Sequence, residues 1–166
     1  MQQRITIESN DSGRLWTDDP EAWANLSTLE GCPWCQKRPP EHWILAETGA
    51  CWVTGGEEAT LPGYVCLVSK LHAVEPFHLA PDQQVEFWLD AMATAEGLSD
   101  ATNPVKMNYE IHGNTTPHLH MHLYPRTAGD VYVGFPNHNR ARFVRTEQEL
   151  SILAESISRS LRRHHR

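Results

Sequence analysis

The sequence lacks long apolar segments and has few positive charges, and each shortage excludes a class of protein. None of its hydrophobic runs approaches the roughly 20 residues that a membrane-spanning helix needs. Lys and Arg number 14 against 21 Asp and Glu, a formal net charge of -7, so no basic footprint for a long nucleic acid is present. We therefore expect neither a membrane protein nor a binder of long nucleic acids.

The first residues also lack the apolar stretch of a secretory signal, which favours a cytoplasmic protein. In that compartment the 4 cysteines would be reduced, and would serve as metal ligands, nucleophiles or core residues rather than disulfide partners. No internal repeat divides the 166 residues. We expect one domain over 1–166, with an N-terminal extension over 1–30 and a loop and C-terminal helix over 127–166.

Strand-like segments occupy the middle of the chain, with helix signals at its flanks. The predicted strands are 42–45, 50–53, 64–68, 105–111 and 118–124, the last of them ended by Pro125. Helices are predicted to begin at Pro20, with Asp19 as its cap, at Pro81, and at Thr146. This arrangement indicates an α+β fold with a mainly antiparallel sheet.

Two of the predicted helices carry apolar residues at helical spacing, which we expect to form their buried faces. In the helix from Pro81 these residues are Val85, Trp88, Leu89, Met92 and Ala93. In the helix from Thr146 they are Leu150, Leu153, Ile157 and Leu161, and Thr146 with Glu149 has the spacing of a capping box.

Three of the 10 histidines alternate within one predicted strand, at His118, His120 and His122. Successive side chains of a strand point to opposite faces, so these imidazoles share one face while the intervening apolar residues point to the core. Packing provides no reason for three imidazoles in a row. The pattern indicates a metal site or an array of catalytic histidines.

Cys32 and Cys35 form a CxxC motif, whose two sulfurs can reach one metal ion. The same motif is a redox pair in thioredoxin-like proteins, where a long helix starts at the first cysteine. Pro39 and Pro40 follow too closely for such a helix, which favours zinc, although a redox pair and an inert pair stay open. Histidines are better candidates for the remaining ligands than the other two cysteines, which lie in apolar strands.

A third motif is a Pro-Gly-Tyr strand that runs into His72, which by itself leaves a surface histidine equally open. Together with the CxxC pair and the alternating histidines, it resembles the histidine triad (HIT) superfamily of nucleotide hydrolases and transferases. The resemblance extends from Gly31 to Arg126 and includes Asn108 in the strand before the triad. It implies a HIT-like fold with a mainly antiparallel five-stranded sheet and flanking helices.

The resemblance also implies roles for individual residues. His120 would attack the α-phosphorus of a nucleotide and form a covalent nucleotidyl-histidine, which water then hydrolyses. His122 would bind phosphate oxygens or help the leaving group, and Asn108, Asn114 and Thr115 would hold the phosphate and the leaving group. Dinucleoside polyphosphates of the Ap4A type and nucleoside phosphoramidates are the two implied groups of substrates.

Zinc-bearing members of the family imply a ligand set of Cys32, Cys35, His72 and His118. A closed Cys2His2 set would make Zn2+ a structural cofactor and not the Lewis acid of the reaction. Family members are commonly homodimers, so we expect a homodimer that binds a small-molecule nucleotide.

Two positions depart from the family pattern. Many members have histidine where Tyr64 stands, and Gly56 occupies a position from which an Asp or Asn often contacts the ribose. Trp34 or Trp52 could stack on a base, and core packing is an equal alternative for both.

Two further functions stay open at the level of sequence. One is a metal-dependent hydrolase that uses the three histidines as ligands. The glutamate of a cupin is missing after His122, however, and a metallo-β-lactamase motif would need an aspartate where His122 stands. The other is a zinc-stabilised nucleotide-binding module without turnover.

Overall fold

The computed structural model of the chain describes residues 15–132, 134 and 143–164. The helices in this part are α1 (Leu15–Asp18), α2 (Pro20–Leu26), α3 (Pro33–Gln36), α4 (Pro81–Thr102) and α5 (Glu147–His164). The strands are β1 (Ile44–Glu47), β2 (Cys51–Thr54), β3 (Glu58–Ala59), β4 (Val65–Ser69), β5 (Lys106–Glu110), β6 (His120–Arg126) and β7 (Phe143–Val144). Residues 1–14 of the predicted extension and 135–142 of the predicted loop lie outside the described residues. None of the described helices is long and apolar enough to cross a bilayer.

An antiparallel sheet of five strands, in the order β1-β2-β4-β6-β5, forms the centre of the fold. The predicted α+β class and the five-stranded antiparallel sheet are therefore confirmed. Each predicted strand is present, with boundaries displaced by one or two residues. The pairing of β3 with β7 was not predicted, because each of these strands has only two residues.

Pro125 does not end its strand, and that prediction is wrong. It lies inside β6, where it is opposite Met107 of β5. On the other side of β6, the ladder with β4 ends at Val65, which is opposite Leu123. Beyond that pair, β6 is paired on one side only among the residues that the structure describes, and a strand at an edge tolerates a proline.

The buried face predicted for α4 is also wrong. Val85, Trp88, Leu89 and Met92 are exposed by 60%, 43%, 49% and 39%, and only Ala93 of the predicted stripe is buried. The buried residues of α4 are instead Phe87, Asp90, Ala91, Ala93, Thr94, Ala95, Gly97 and Leu98. Most of these side chains are small, so close approach to neighbouring elements decides which face of α4 is buried.

Gly97 shows how close that approach is. A Cβ atom at this position would lie 2.6 Å from Cα of Ile157 in α5. Of the stripe predicted for α5, Leu153, Ile157 and Leu161 are buried, whereas Leu150 in the first turn is half-buried. Its capping box is also confirmed, because the backbone N–H of Glu149 donates to Oγ1 of Thr146 at 3.2 Å and the Thr146 N–H donates to the Glu149 carboxylate at 2.7 Å.

The sheet places core and histidines on opposite faces of β6, as the alternation predicts. Leu119, Met121 and Leu123 are fully buried in the hydrophobic core, together with residues of α4 and α5. His120 and His122 point to the other face. The core therefore fixes the strand that carries the imidazoles.

Candidate active site and metal centre

His120 and His122 line a cavity of about 720 Å³ on the face of the sheet opposite the core. One wall is formed by the loop 112–116, and another by Gly55 and Gly56 after β2, by Tyr64 just before β4 and by Cys66 of β4. Trp34 belongs to a third wall, the segment that follows the first cysteine of the CxxC motif. A cavity of this size is typical of small-molecule sites.

The ring of His120 has a defined orientation and tautomer. Its Nδ1 lies 2.6 Å from the carbonyl oxygen of His118, and the side chain is 7% exposed. Because a carbonyl oxygen only accepts hydrogen bonds, Nδ1 carries the proton and donates it. In the neutral ring Nε2 therefore carries a lone pair, as a nucleophilic imidazole requires.

His122 lies beside His120, with ring centroids 4.9 Å apart, and forms a hydrogen bond with Tyr64. The hydroxyl oxygen of Tyr64 is 2.8 Å from Nδ1 of His122. Burial raises the pKa of the Tyr64 phenol, so the hydroxyl stays protonated. The position that departs from the family pattern thus contacts one of the two predicted catalytic histidines.

The three residues predicted to hold the substrate do not lie together. Asn114 and Thr115 are in the cavity wall. Asn108 is not among the described residues that line the cavity; its Oδ1 accepts a hydrogen bond from Nη1 of Arg126 at 2.7 Å. Arg126 in turn forms an ion pair with Asp130.

The four predicted metal ligands are brought together from three separate parts of the chain. The donor atoms of Cys32, Cys35, His72 and His118 all lie within 4.8 Å of one another. Sγ of Cys32 is 3.3 Å from Nδ1 of His118, and Sγ of Cys35 is 3.2 Å from Nδ1 of His72. Two sulfurs and two imidazole nitrogens at this spacing can hold one metal ion.

The second nitrogen of each histidine supports that interpretation. Nε2 of His118 is 2.8 Å from the carbonyl oxygen of Ser69, and Nε2 of His72 is 2.9 Å from that of Ser27. Each Nε2 therefore donates to a carbonyl, which leaves a lone pair on Nδ1 and directs it at the sulfurs. Burial also lowers the pKa of His118, so that this ring stays neutral and able to ligate.

The surroundings of the Cys35 thiol disfavour its ionisation. Burial, reinforced by the neighbouring Cys32, raises the pKa of Cys35 to about 12. A metal ion binds the thiolate, so its charge would offset this cost of ionisation.

Arg145 is a residue of the site that sequence reasoning missed. It is 3% exposed, and its guanidinium donates to the carbonyl oxygens of Gly56, at 3.0 Å, Pro62, at 3.2 Å, and Tyr64, at 2.6 Å. It thereby joins Gly56 to the turn before β4, and Gly56 and Tyr64 both line the cavity. In the sequence, Arg145 is marked only by its position next to a helix cap, where an arginine is typically a surface residue.

His112 and Trp43 also line the cavity without having been predicted there. Nε2 of His112 lies 3.0 Å from the carboxylate of Glu110, the residue opposite His122 in the sheet. Trp43 is 47% exposed, and a Cβ at Gly56 would lie 3.4 Å from its indole nitrogen. A glycine at this position therefore leaves room for an indole at the mouth of the cavity.

Comparisons with known proteins agree with this geometry. A family model described as the HIT domain matches residues 40–129. A solved histidine triad protein from Sinorhizobium meliloti 1021 is 26% identical over 70% of this chain and 87% of its own, with a TM-score of 0.62. One from Marinobacter aquaeolei VT8 is also 26% identical, over 72% of this chain and 88% of its own, with a TM-score of 0.62. A zinc-bound histidine triad family protein from Mycobacterium smegmatis, 16% identical over 72% and 86% of the two chains, shares the fold with a TM-score of 0.55.

Proposed function

This chain belongs to the HIT domain family, and from that premise we propose that it cleaves or transfers nucleotides at the α-phosphate through a covalent nucleotidyl-histidine on His120. The observation that carries the proposal is the hydrogen bond from Nδ1 of His120 to the carbonyl of His118. This hydrogen bond places the proton of the neutral ring on Nδ1, so that the lone pair on Nε2 is free to attack. The ring lines a cavity large enough for a nucleotide.

The reaction divides one displacement into two. Nε2 of His120 forms a bond to the α-phosphorus, and the bond from phosphorus to the leaving group breaks with its electron pair on that group. Water then attacks the same phosphorus and passes a proton to the solvent. The bond from phosphorus to Nε2 of His120 breaks with its electron pair on nitrogen, which releases a nucleoside monophosphate. Each step has a lower barrier than direct attack by water.

Contacts to the phosphates come from the loop 112–116 in this proposal. Asn114 and Thr115 supply an amide and a hydroxyl at the cavity wall. Gly113 has a φ of 68°, a conformation that favours glycine and allows neighbouring backbone N–H groups to converge on an anion. The amide oxygen of Asn108 accepts a hydrogen bond from Arg126, so a contact between Asn108 and the substrate stays a prediction.

Dinucleoside polyphosphates and nucleoside phosphoramidates are the proposed substrates. Lys37 lines the same cavity, where its charge favours a polyanionic substrate on a protein whose net charge is -7. Arg38 also lines it, in an ion pair with Glu47. The two indoles of Trp34 and Trp43 lie in the walls, where a purine base can stack on either.

Zn2+ is the metal that we propose for the Cys2His2 group, and its role would be structural. A tetrahedral zinc site with two sulfurs and two nitrogens has edges of about 3.3–3.8 Å, close to the contacts between these donors. All four ligand positions would be filled by protein, so the ion would link the CxxC segment to His118, two residues before β6. The three triad histidines do not converge on one metal among the described residues, because only His118 joins the thiols.

We also propose that the chain forms a homodimer. The row of exposed side chains on α4, named here the α4 stripe, consists of Val85, Trp88, Leu89 and Met92. Large apolar side chains that recur on one face of a surface helix are typical of an interface with another chain. A second copy is the occupant that the family premise favours.

The remaining proposals concern location and organisation. A cytoplasmic location is supported by the four cysteines, which are all free thiols, two of them in the proposed ligand set.

A single domain is supported by the packing of α5 on α4. The Ser156 hydroxyl of α5 donates to the carbonyl of Gly97 in α4 at 2.8 Å.

Intact-mass analysis after brief mixing with Ap4A, and separately with an adenosine phosphoramidate, tests the covalent step. We expect an adduct of the mass of AMP that maps to His120. The variant His120→Asn should lose adduct and turnover while it still binds AMP, whereas His78→Asn, at an exposed histidine, should behave as the wild type. Unchanged behaviour of His120→Asn would instead favour a binding module, and absence of both adduct and turnover in the wild type would contradict the proposal.

A further inference from the structure

We propose that Tyr64 is a positioning residue that holds His122 as a neutral hydrogen-bond donor, and that the site consequently favours phosphoanhydride over phosphoramidate substrates. This inference rests on the proposed function and names a substrate class for it. It concerns the position where many family members have a histidine in place of the phenol.

The sheet register brings the two side chains together. Cys66 of β4 is opposite His122 of β6, and Tyr64 precedes Cys66 by two residues, so that it shares the same face. The Tyr64 ring is stacked on Tyr124, with centroids 4.8 Å and planes 21° apart, and is nearly parallel to His122, at 22°. These contacts hold the phenol in one orientation, with its oxygen 2.8 Å from Nδ1 of His122.

The direction of the hydrogen bond follows from the available acceptors. In the part of the chain that the structure describes, the Tyr64 hydroxyl contacts Nδ1 of His122 and the thiol of Cys66. An imidazole nitrogen is a strong acceptor and a thiol is a weak one, so the O–H donates to Nδ1. Burial raises the pKa of the phenol, which keeps that proton on oxygen. Nδ1 of His122 is thus an acceptor, and the proton of the neutral ring lies on Nε2.

The side chains around His122 are compatible with a neutral ring. They are those of Tyr64, Cys66, Glu110, His112, His120 and Tyr124. The one carboxylate among them, Glu110, is engaged by Nε2 of His112 at 3.0 Å.

The chemical consequence depends on the leaving group. When Nε2 of His120 displaces a phosphoanhydride, the bridging oxygen keeps the electron pair and departs as a stable phosphate anion without a proton. A hydrogen bond from Nε2 of His122 is sufficient to stabilise the charge that develops there. When the leaving group is an amine, the nitrogen must gain a proton as the P–N bond breaks. A neutral imidazole would become an imidazolate if it gave up its Nε2 proton, so His122 held by Tyr64 is a poor acid for that step.

Nitrogen-15 spectra of the zinc-loaded, full-length chain test the positioning directly. At about pH 8, where imidazoles are neutral, we expect His122 to show a protonated Nε2 and an unprotonated, hydrogen-bonded Nδ1. Tyr64→Phe should lose this single tautomer, and Tyr124→Phe is the matched control. The Tyr124 ring is in the same stack, but its buried hydroxyl has no hydrogen-bond partner among the described residues. A proton on Nδ1 in the wild type, or an unchanged tautomer in Tyr64→Phe, would overturn the proposal.

Kinetics with the same variants test the substrate class. We expect the wild type to prefer Ap4A to the adenosine phosphoramidate in kcat/KM by about ten-fold or more, because only the amine needs an acid. Tyr64→Phe should lower kcat for Ap4A by about 10- to 100-fold with little change in KM, whereas Tyr124→Phe should match the wild type. Tyr64→His adds a group that can carry a proton, and should shift the preference at least about ten-fold towards the phosphoramidate.

The two levels of the proposal fail in different ways. A wild-type preference for the phosphoramidate, or an unshifted preference in Tyr64→His, would refute the substrate class even if turnover is high. Absence of turnover with both substrates would refute the proposed function and the substrate class with it. The tautomer of His122 would still decide whether Tyr64 positions that ring.

Discussion

The indole of Trp34 lies against the imidazole of His120, with ring centroids 4.8 Å apart and planes inclined at 58°. The same indole is 5.6 Å from the ring of His118. Trp34 stands between the two cysteines of the proposed metal site, so the segment that holds their sulfurs also forms the cavity wall beside the proposed nucleophile. Binding of a metal ion at that site would therefore be coupled to the shape of the cavity through one side chain.

Removal of the metal should consequently disturb the cavity. We expect a chelator to change the tryptophan emission of the chain and to weaken AMP binding by about ten-fold, as loss of groups that orient a site commonly does. The emission change should be absent in Trp34→Phe and retained in Trp88→Phe, which removes an exposed indole of α4. Fluorescence titration with chelator, followed by calorimetry with AMP, measures both effects. An emission change of full size in Trp34→Phe would show that this indole does not report on the metal.

The ligand set itself is tested by a pair of cysteine variants. We expect Cys32→Ser to lose the metal, of which the wild type should hold about one ion per chain. Cys51→Ser is the matched control, because Cys51 is also a fully buried free thiol but lies in β2, outside the cluster. Elemental analysis of the purified proteins measures the difference. Full zinc content in Cys32→Ser would contradict the assignment.

Arg145 should contribute strongly to stability through the turn that it holds. Arg145→Met would remove the guanidinium that donates to the carbonyls of Gly56, Pro62 and Tyr64, and a hydrogen bond from a charged group contributes about 1.5–3 kcal/mol. We expect a decrease in the free energy of unfolding of about 3 kcal/mol or more. Arg159→Met, at an exposed position of the same α5 region, should change it by less than about 0.5 kcal/mol. Denaturant unfolding compares the two, and equal small effects would mean that the guanidinium does not brace the turn.

The α4 stripe should mediate self-association. A charge at its centre would have to be desolvated at an apolar interface, so Trp88→Lys should be monomeric where the wild type is dimeric. Phe77→Lys changes an apolar residue that is 71% exposed outside α4, and should leave the dimer intact. Light scattering coupled to size-exclusion chromatography distinguishes these states. A monomeric wild type would contradict the proposed dimer.

The sequence alone predicted those features that depend on local geometry. The alternation of His118, His120 and His122 with apolar residues requires only that side chains alternate along a strand. The capping box at Thr146 is likewise a contact between residues three positions apart. The metal ligands were predicted from the resemblance to a family, because Cys32 and His118 are 86 positions apart and no local rule relates them.

Features that depend on how closely elements approach were decided only by the tertiary structure. The burial of α4 was predicted from apolar periodicity, but space around Gly97 selects a face of small residues and leaves Trp88 exposed. The contact of Arg145 with Gly56 joins residues 89 positions apart, and that of Tyr64 with His122 joins residues 58 apart. The sequence thus determined which strand carries the imidazoles, since strand periodicity is a property of the backbone. Only the packed sheet decided which residues line the cavity beside these imidazoles and which hydrogen bond fixes the tautomer of His122. Hydrogen bonds between distant residues exist only once the chain has folded.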